Sequence, residues 1–175
     1  INTNSYAESV ELSLGTSDPI IDYEIDYELD PQILYISEPD SALNMARISS
    51  NEEGLYQISH MEVISTSTTY ARDLTLADLD GDSDDDILYV NSSNEIQVWL
   101  NQINGEYQAA YQINTPDQSD IIQTFALNDI NNDGLNDLVL TTKSPQRWMY
   151  AFNSRDISGD FNQSPSWATH PETSN

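Results

Sequence analysis

An acidic motif that occurs twice, 51 positions apart, constrains this chain more than any other feature. One copy is Asp78-Leu79-Asp80-Gly81-Asp82-Ser83-Asp84-Asp85-Asp86, followed by Ile87-Leu88. The other is Asp129-Ile130-Asn131-Asn132-Asp133-Gly134-Leu135-Asn136-Asp137, followed by Leu138-Val139. Similarity at such a period means one supersecondary unit copied along the chain, so the fold has to be read unit by unit.

The flanks repeat with the motif. After the first loop come a β-rich run, Ile87 to Val90, and polar Asn91-Ser92-Ser93-Asn94. An alternating segment, Ile96 to Leu100, then leads through Asn104-Gly105 to a further run, Tyr107 to Ile113. After the second loop come Leu138 to Thr142, a turn with Pro145, Trp148 to Phe152, and Ser158-Gly159 before Phe161. A strand is also expected ahead of each loop, at Tyr70 to Ala77 and Ile121 to Leu127. Period-2 alternation bounded by Gly, Pro and Asn is the strand signal, so each unit should hold four short strands. No helical stripe of useful length occurs. Trp99 and Trp148 fall in the two third strands and are expected to fill matching packing positions.

A worn copy lies upstream. Ile33-Leu34-Tyr35-Ile36 matches Ile87-Leu88-Tyr89-Val90, Leu43 to Ile48 would be its third strand, and Gly54-Leu55-Tyr56 parallels Gly105-Glu106-Tyr107. Its loop keeps carboxylates at Asp22, Glu24, Asp26 and Asp30 but lacks the glycine. Two readings stay open there: a degenerate metal loop, or an edge strand with its acids on one face. The units are expected over 17–64, 70–115 and 121–168. Residues 1–16, with Ser9 to Leu14 as a lone strand, would be left from a preceding unit, and 169–175 would form a tail, within a loop or linker running from Ser164 to Asn175.

Charge decides which partners are compatible. Thirty acidic residues stand against five basic ones, a formal net charge of −25. Such a chain repels nucleic acid and anionic membrane surfaces. No apolar run approaches the ~20 residues of a membrane span, so insertion is not expected. Ten Tyr, three Trp and many Ile and Leu in strand-like alternation argue against a disordered acidic tail. Cysteine is absent, which excludes disulfides and thiolate sites. No basic segment leading into an apolar run occurs at Ile1, so any secretion leader is expected to be missing from the chain.

Carboxylates at alternate positions of a nine-residue loop suit calcium, a hard cation that takes six to eight oxygens. Four or five acids in so short a stretch would repel one another without a cation. In the second unit Asp78, Asp80, Asp82 and Asp86 would supply side-chain oxygens, with Asp84 adding a backbone or side-chain oxygen. In the third unit Asp129, Asn131, Asp133 and Asp137 would do so, with the carbonyl of Leu135. Gly134 fits a turn of positive φ. Ser83 takes that place in the second unit, so the turn there should be more strained or differently shaped, with Gly81 offering partial relief. Oxygen-only ligands argue against zinc and copper. An EF-hand would need a bidentate Glu at position 12 between two helices; that position is Tyr89 in one loop and Leu140 in the other. Two calcium sites are therefore expected, with a third at the worn loop if it binds.

Asp129-Ile-Asn131-Asn-Asp133-Gly134-Leu-Asn-Asp137-Leu138-Val139 resembles the FG-GAP/VCBS repeat family, which includes the β-propeller heads of integrin α-subunits. Asp78-Leu-Asp80-Gly-Asp82-Ser-Asp84-Asp-Asp86-Ile87-Leu88 resembles it too, departing at Ser83. The resemblance implies an all-β chain of four-stranded propeller blades, each calcium loop joining the first two strands. It also implies an extracellular or cell-surface setting and a role in adhesion or in binding a protein or carbohydrate ligand. Propellers have four to eight blades, so three units should be part of a longer chain, or of an assembly of copies.

No enzyme is expected. His60 and His170 are isolated, neither G-x-S-x-G nor a phosphate-binding glycine loop occurs, and the clustered Asp residues are explained by ion binding. The leading expectation is a binding or adhesion module with structural calcium. Its competitors are a lectin-like carbohydrate binder, an accessory domain of a secreted hydrolase, and a filament or surface-layer subunit.

Overall fold

The computed structural model describes Leu14 and residues 20–26, 32–37, 42–50, 52–53, 55–65, 71–102, 105–143, 146–153 and 167–170. These contain strands and no helix. The strands are β1 (Ile20–Asp26), β2 (Gln32–Ser37), β3 (Ala42–Ser50), β4 (Tyr56–Ser65), β5 (Arg72–Ala77), β6 (Asp86–Val90), β7 (Ile96–Asn101), β8 (Tyr107–Ile113), β9 (Ile122–Asn128), β10 (Asp137–Lys143), β11 (Gln146–Ala151) and β12 (Ala168–His170).

They form three four-stranded antiparallel sheets in simple meander order: β1-β2-β3-β4, β5-β6-β7-β8 and β9-β10-β11-β12. The first strands of the sheets lie together, β5 touching both β1 and β9. The architecture is all-β and of propeller-blade type.

Sheets stack face to face because their strands alternate apolar side chains on both faces. β6 is buried along its whole length. Its Ile87 and Tyr89 join Leu34, Ile36, Leu43, Ala71 and Leu74 in a core between the first and second sheets. Its Leu88 and Val90 join Ile96, Val98, Ile113, Ile122, Leu138, Leu140 and Met149 between the second and third. Alternation with period two sends neighbouring residues to opposite faces, so a single strand seals two interfaces.

Polar bridges add to this packing. Arg72 in β5 donates to the carbonyl of Ile122 at 2.6 Å, reaching the third sheet. Asn94, in the β6–β7 turn, accepts from Ile122 N at 2.9 Å and donates to Asp120 O at 2.7 Å. The Asp120 carboxylate, wholly buried, takes both its bonds from Nη2 of Arg147, at 2.5 and 2.6 Å.

Two features differ from expectation. Trp99 and Trp148 do not occupy matching positions. Trp99 pairs with Ile87 and packs into the core toward the first sheet, whereas Trp148 pairs with Thr141 on the opposite face and is 41% exposed. The place of Trp99 in the third sheet is taken by Ala151, opposite Leu138, so the two tryptophans are out of phase and a shift of phase reverses the face. The last strand is Ala168–His170, inside the stretch expected to be a loop or linker. It pairs with β11 through the backbone, and three residues are too few to show alternation. The segments around Phe161 and Ser158-Gly159 lie outside the described residues, as does the segment Ser9 to Leu14 apart from Leu14, which belongs to no strand.

Candidate metal centre

Both acidic loops link the first strand of a sheet to its second: 78–85 between β5 and β6, and 129–136 between β9 and β10. They share one backbone course. Gly81 and Ser83 have φ of 76° and 77°, and the repeat-equivalent Asn132 and Gly134 have 61° and 87°. Two left-handed residues per loop bend the chain back so that side chains at alternate positions turn inward. Ser83 therefore keeps the shape that Gly134 gives the other loop, and carries the strain of a Cβ there.

The first acid of each motif caps this turn. Asp78 accepts from the N–H groups of Gly81 and, at 3.2 Å, Ser83. Asp129 accepts from Asp133 N at 3.1 Å and Gly134 N at 2.9 Å. The next position repeats the pattern: Asp80 Oδ1 accepts from Asp82 N at 3.1 Å, and Asn131 Oδ1 from Asp133 N at 2.9 Å. Asp82 and Asp133 in turn accept from Asp84 N and Leu135 N, each at 3.0 Å. An ionised carboxylate has about four lone-pair sites, so one or two such bonds leave oxygens free for a cation.

The last acid of each motif closes the base of its loop. Asp86 is 0% exposed, its two oxygens accepting from Leu79 N and Asn101 N, each at 2.9 Å. Asp137 is equally buried and accepts from Ile130 N at 2.9 Å and Asn153 N at 2.8 Å. Burial pushes the Asp86 carboxyl from an ordinary 3.8 up to about 7, the two amide bonds pulling the other way and the charges of Asp80 and Asp82 adding to the rise. Asp80 is also raised, first by burial and then by repulsion from Asp82 and Asp78.

Asp78, Asp80 and Asp86 each place one carboxylate oxygen within 4.8 Å of the others, the one acidic group of three drawn so close among the described residues. Three anionic oxygens at that spacing, one of them sunk in the core, are a donor set for a hard divalent cation. Asp82 and Asp84 lie further along the loop, outside this trio. In the third-sheet loop Asn131 turns its carboxamide nitrogen onto Asp133 Oδ2 at 2.9 Å, and Asp129, Asp133 and Asp137 are not drawn together in the same way.

At the worn motif, Asp22 and Glu24 lie within β1, and Asp26 is its last residue, opposite Gln32. Asp22 Oδ2 accepts from Leu74 N at 2.8 Å, tying the first sheet to the second. Glu24 is raised by burial and by the charge of Asp22. Asp30 lies outside the described residues.

Sequence reading passed over the asparagines that hold these loops. Asn101, the last residue of β7, and Asn153, two residues beyond β11, hold the basal acids through their backbone N–H groups. Asn153 also donates from Nδ2 to Leu79 O at 3.3 Å, and Asn136 from Nδ2 to Asp78 O at 3.1 Å. The recurrence of Asn at or just past the end of both third strands was the available signal.

The family model of the FG-GAP-like repeat matches residues 78–140. The matched span opens on Asp78, the first acid of one loop, and closes at Leu140 in β10, beyond the last acid of the other. Over this segment the chain is similar to an FG-GAP-like repeat. No match was found among curated proteins or among solved structures. The matched segment thus runs from the second sheet into the third, and its ends bracket both acidic loops.

Proposed function

We propose that the chain is a calcium-binding, extracellular module for adhesion or for binding a protein ligand, and that calcium is structural in it. The observation that carries this reading is the meeting of Asp78, Asp80 and Asp86, with the buried Asp86 at its base. A cation there would link β5 to β6 where the loop leaves the core, and the equivalent loop would do the same for β9 and β10. Asp78, Asp80, Asp82 and Asp86, and in the other loop Asp129, Asn131, Asp133, Asp137 and the Leu135 carbonyl, would hold it. Binding to the folded state alone stabilises that state by mass action. An extracellular setting fits the reading, since millimolar calcium would keep such loops filled. Nothing in it calls for catalysis.

Melting in calcium, in magnesium and in chelator, with a parallel calorimetric calcium titration, tests the reading. A melting temperature raised selectively by calcium, with two ions bound per chain, is expected. Identical melting in calcium and chelator would refute it.

A lectin-like reading has its own observation. Trp148, Tyr150 and Phe152 form an aromatic row, with ring centroids 5.9 Å apart for the first pair and 5.3 Å for the second. With Ile130 and Val139 they line an open hollow of about 340 Å³. A glycan array, with Trp fluorescence on sugar addition, would detect carbohydrate stacking on that row.

A further inference from the structure

The two loops are joined by hydrogen bonds that cross from one sheet to the next. Asn153, 1% exposed, donates its backbone N–H to Asp137 Oδ1 at 2.8 Å and its Nδ2–H to the Leu79 carbonyl at 3.3 Å. Leu79 in turn donates its N–H to Asp86 Oδ2 at 2.9 Å. A path therefore runs from the basal acid of one loop, through Asn153 and the backbone of Leu79, to the basal acid of the other. A parallel link runs from Asn136, the neighbour of Asp137, to the carbonyl of Asp78 at 3.1 Å. Asn101, the last residue of β7 and the repeat equivalent of Asn153, turns its Nδ2 to Asp85 O, in the loop of its own sheet, at 3.4 Å.

We propose that Asn153 and Asn136 are positioning residues that couple the two loops, so that a calcium ion in either raises the affinity of the other. The coupling presupposes that both loops take calcium, as proposed above. A cation drawing Asp86 inward fixes the Asp78–Leu79 peptide, whose carbonyl accepts from Asn136, and through the backbone of Leu79 the next carbonyl, which holds the Asn153 side chain and with it the N–H on Asp137. The second ion then meets a carboxylate already placed, and less ordering remains for it to do. Direct repulsion between the ions works against this. Six acidic residues lie in the loop counted from Asp78 through Asp86, however, so that loop stays net negative with a divalent cation bound. Linkage makes the effect equal in both directions.

Calorimetric calcium titrations of four proteins test the proposal: the parent chain, Asp129→Asn/Asp133→Asn with the third-sheet loop disabled, Asn153→Ala, and the combination. Asn153→Ala removes the side-chain link to Leu79 and keeps the N–H on Asp137. Disabling the third-sheet loop is expected to weaken calcium at the second-sheet loop about fivefold or more, and to have little effect on it once Asn153 is Ala. If Asn153→Ala does not fold, Asn136→Ala takes its place and should reduce the coupling at least about twofold, a cut of roughly 0.4 kcal/mol in the coupling free energy. Two ions bound with mutually independent affinities would overturn the coupling and leave the calcium reading standing. Absence of binding to the parent chain would overturn both. Coupling that survives both substitutions would remove these asparagines from the path.

Discussion

Ser83 sits at φ 77° where its repeat partner Gly134 sits at 87°. An L-residue in that region costs about 1–2 kcal/mol, part of which glycine gives back through the flexibility it lends the unfolded chain. Ser83→Gly is therefore expected to stabilise the fold by about 0.5–1 kcal/mol, and Gly134→Ala to destabilise it by about 1 kcal/mol or more, both read by denaturant unfolding in calcium. Nothing lies within 4 Å of a Cβ built on Gly134, so the second effect would be one of backbone strain alone. Asp86 yields a pH prediction. Its carboxyl is raised from 3.8 to about 7 in the fold, so the folded state binds its proton more tightly than the unfolded state. The stabilising contribution is full below pH 4 and is lost as pH rises through about 7. In chelator, the melting temperature should fall between pH 5 and 8, and Asp86→Asn, though less stable overall, should show a shallower fall. An unchanged slope would place the titration elsewhere, the two histidines included. At this scale the carboxylates were legible in the sequence, because alternate spacing along one loop is a local pattern. Asn153 was not, because its side chain meets Leu79 from 74 residues away.

Strands with strong alternation were legible to within a residue or two: β6, β7, β8 and β10 lie where Ile87, Ile96, Tyr107 and Leu138 mark them. The short strand β12 was not, since an edge strand that pairs through its backbone places little demand on side-chain pattern. Phase was harder to read than existence. β11 begins at Gln146, ahead of its aromatic residues, and that offset puts Trp148 and Trp99 on opposite faces. What fixes β11 at this point includes Arg147, whose guanidinium reaches the buried Asp120 in the β8–β9 connection. Asp120 has no solvent to turn to, and removing its partner would strand a buried charge. Arg147→Ala is expected to cost about 3 kcal/mol, with little dependence on salt, because the carboxylate is shielded from screening ions. A loss that shrinks steeply in high salt would mark the pair as a surface interaction.

Across the whole molecule the repeat sets up a comparison between two equivalent faces. On the second sheet Leu79, Leu88, Ile96 and Val98 face the third sheet and are buried. Register pairs Leu88 with Val98 and Val90 with Ile96, and on the third sheet Val139 with Tyr150 and Thr141 with Trp148. Ile130, Val139, Trp148 and Tyr150 are thus the counterparts of Leu79, Leu88, Ile96 and Val98, but their face is open, with Ile130 and Trp148 each more than 40% exposed. The same repeat position should therefore carry very different weight in the two sheets. Ile96→Ala is expected to destabilise the chain by about 2–5 kcal/mol through lost burial and the cavity left behind. Trp148→Ala should stay within about 0.5 kcal/mol of the parent, as exposed substitutions do. Calcium-saturated denaturant melts at low protein concentration would compare them. Equal losses at both positions would mean that the third sheet's face is covered in solution as the second sheet's is, and the aromatic row of Trp148, Tyr150 and Phe152 would then belong to a buried interface and be closed to a ligand.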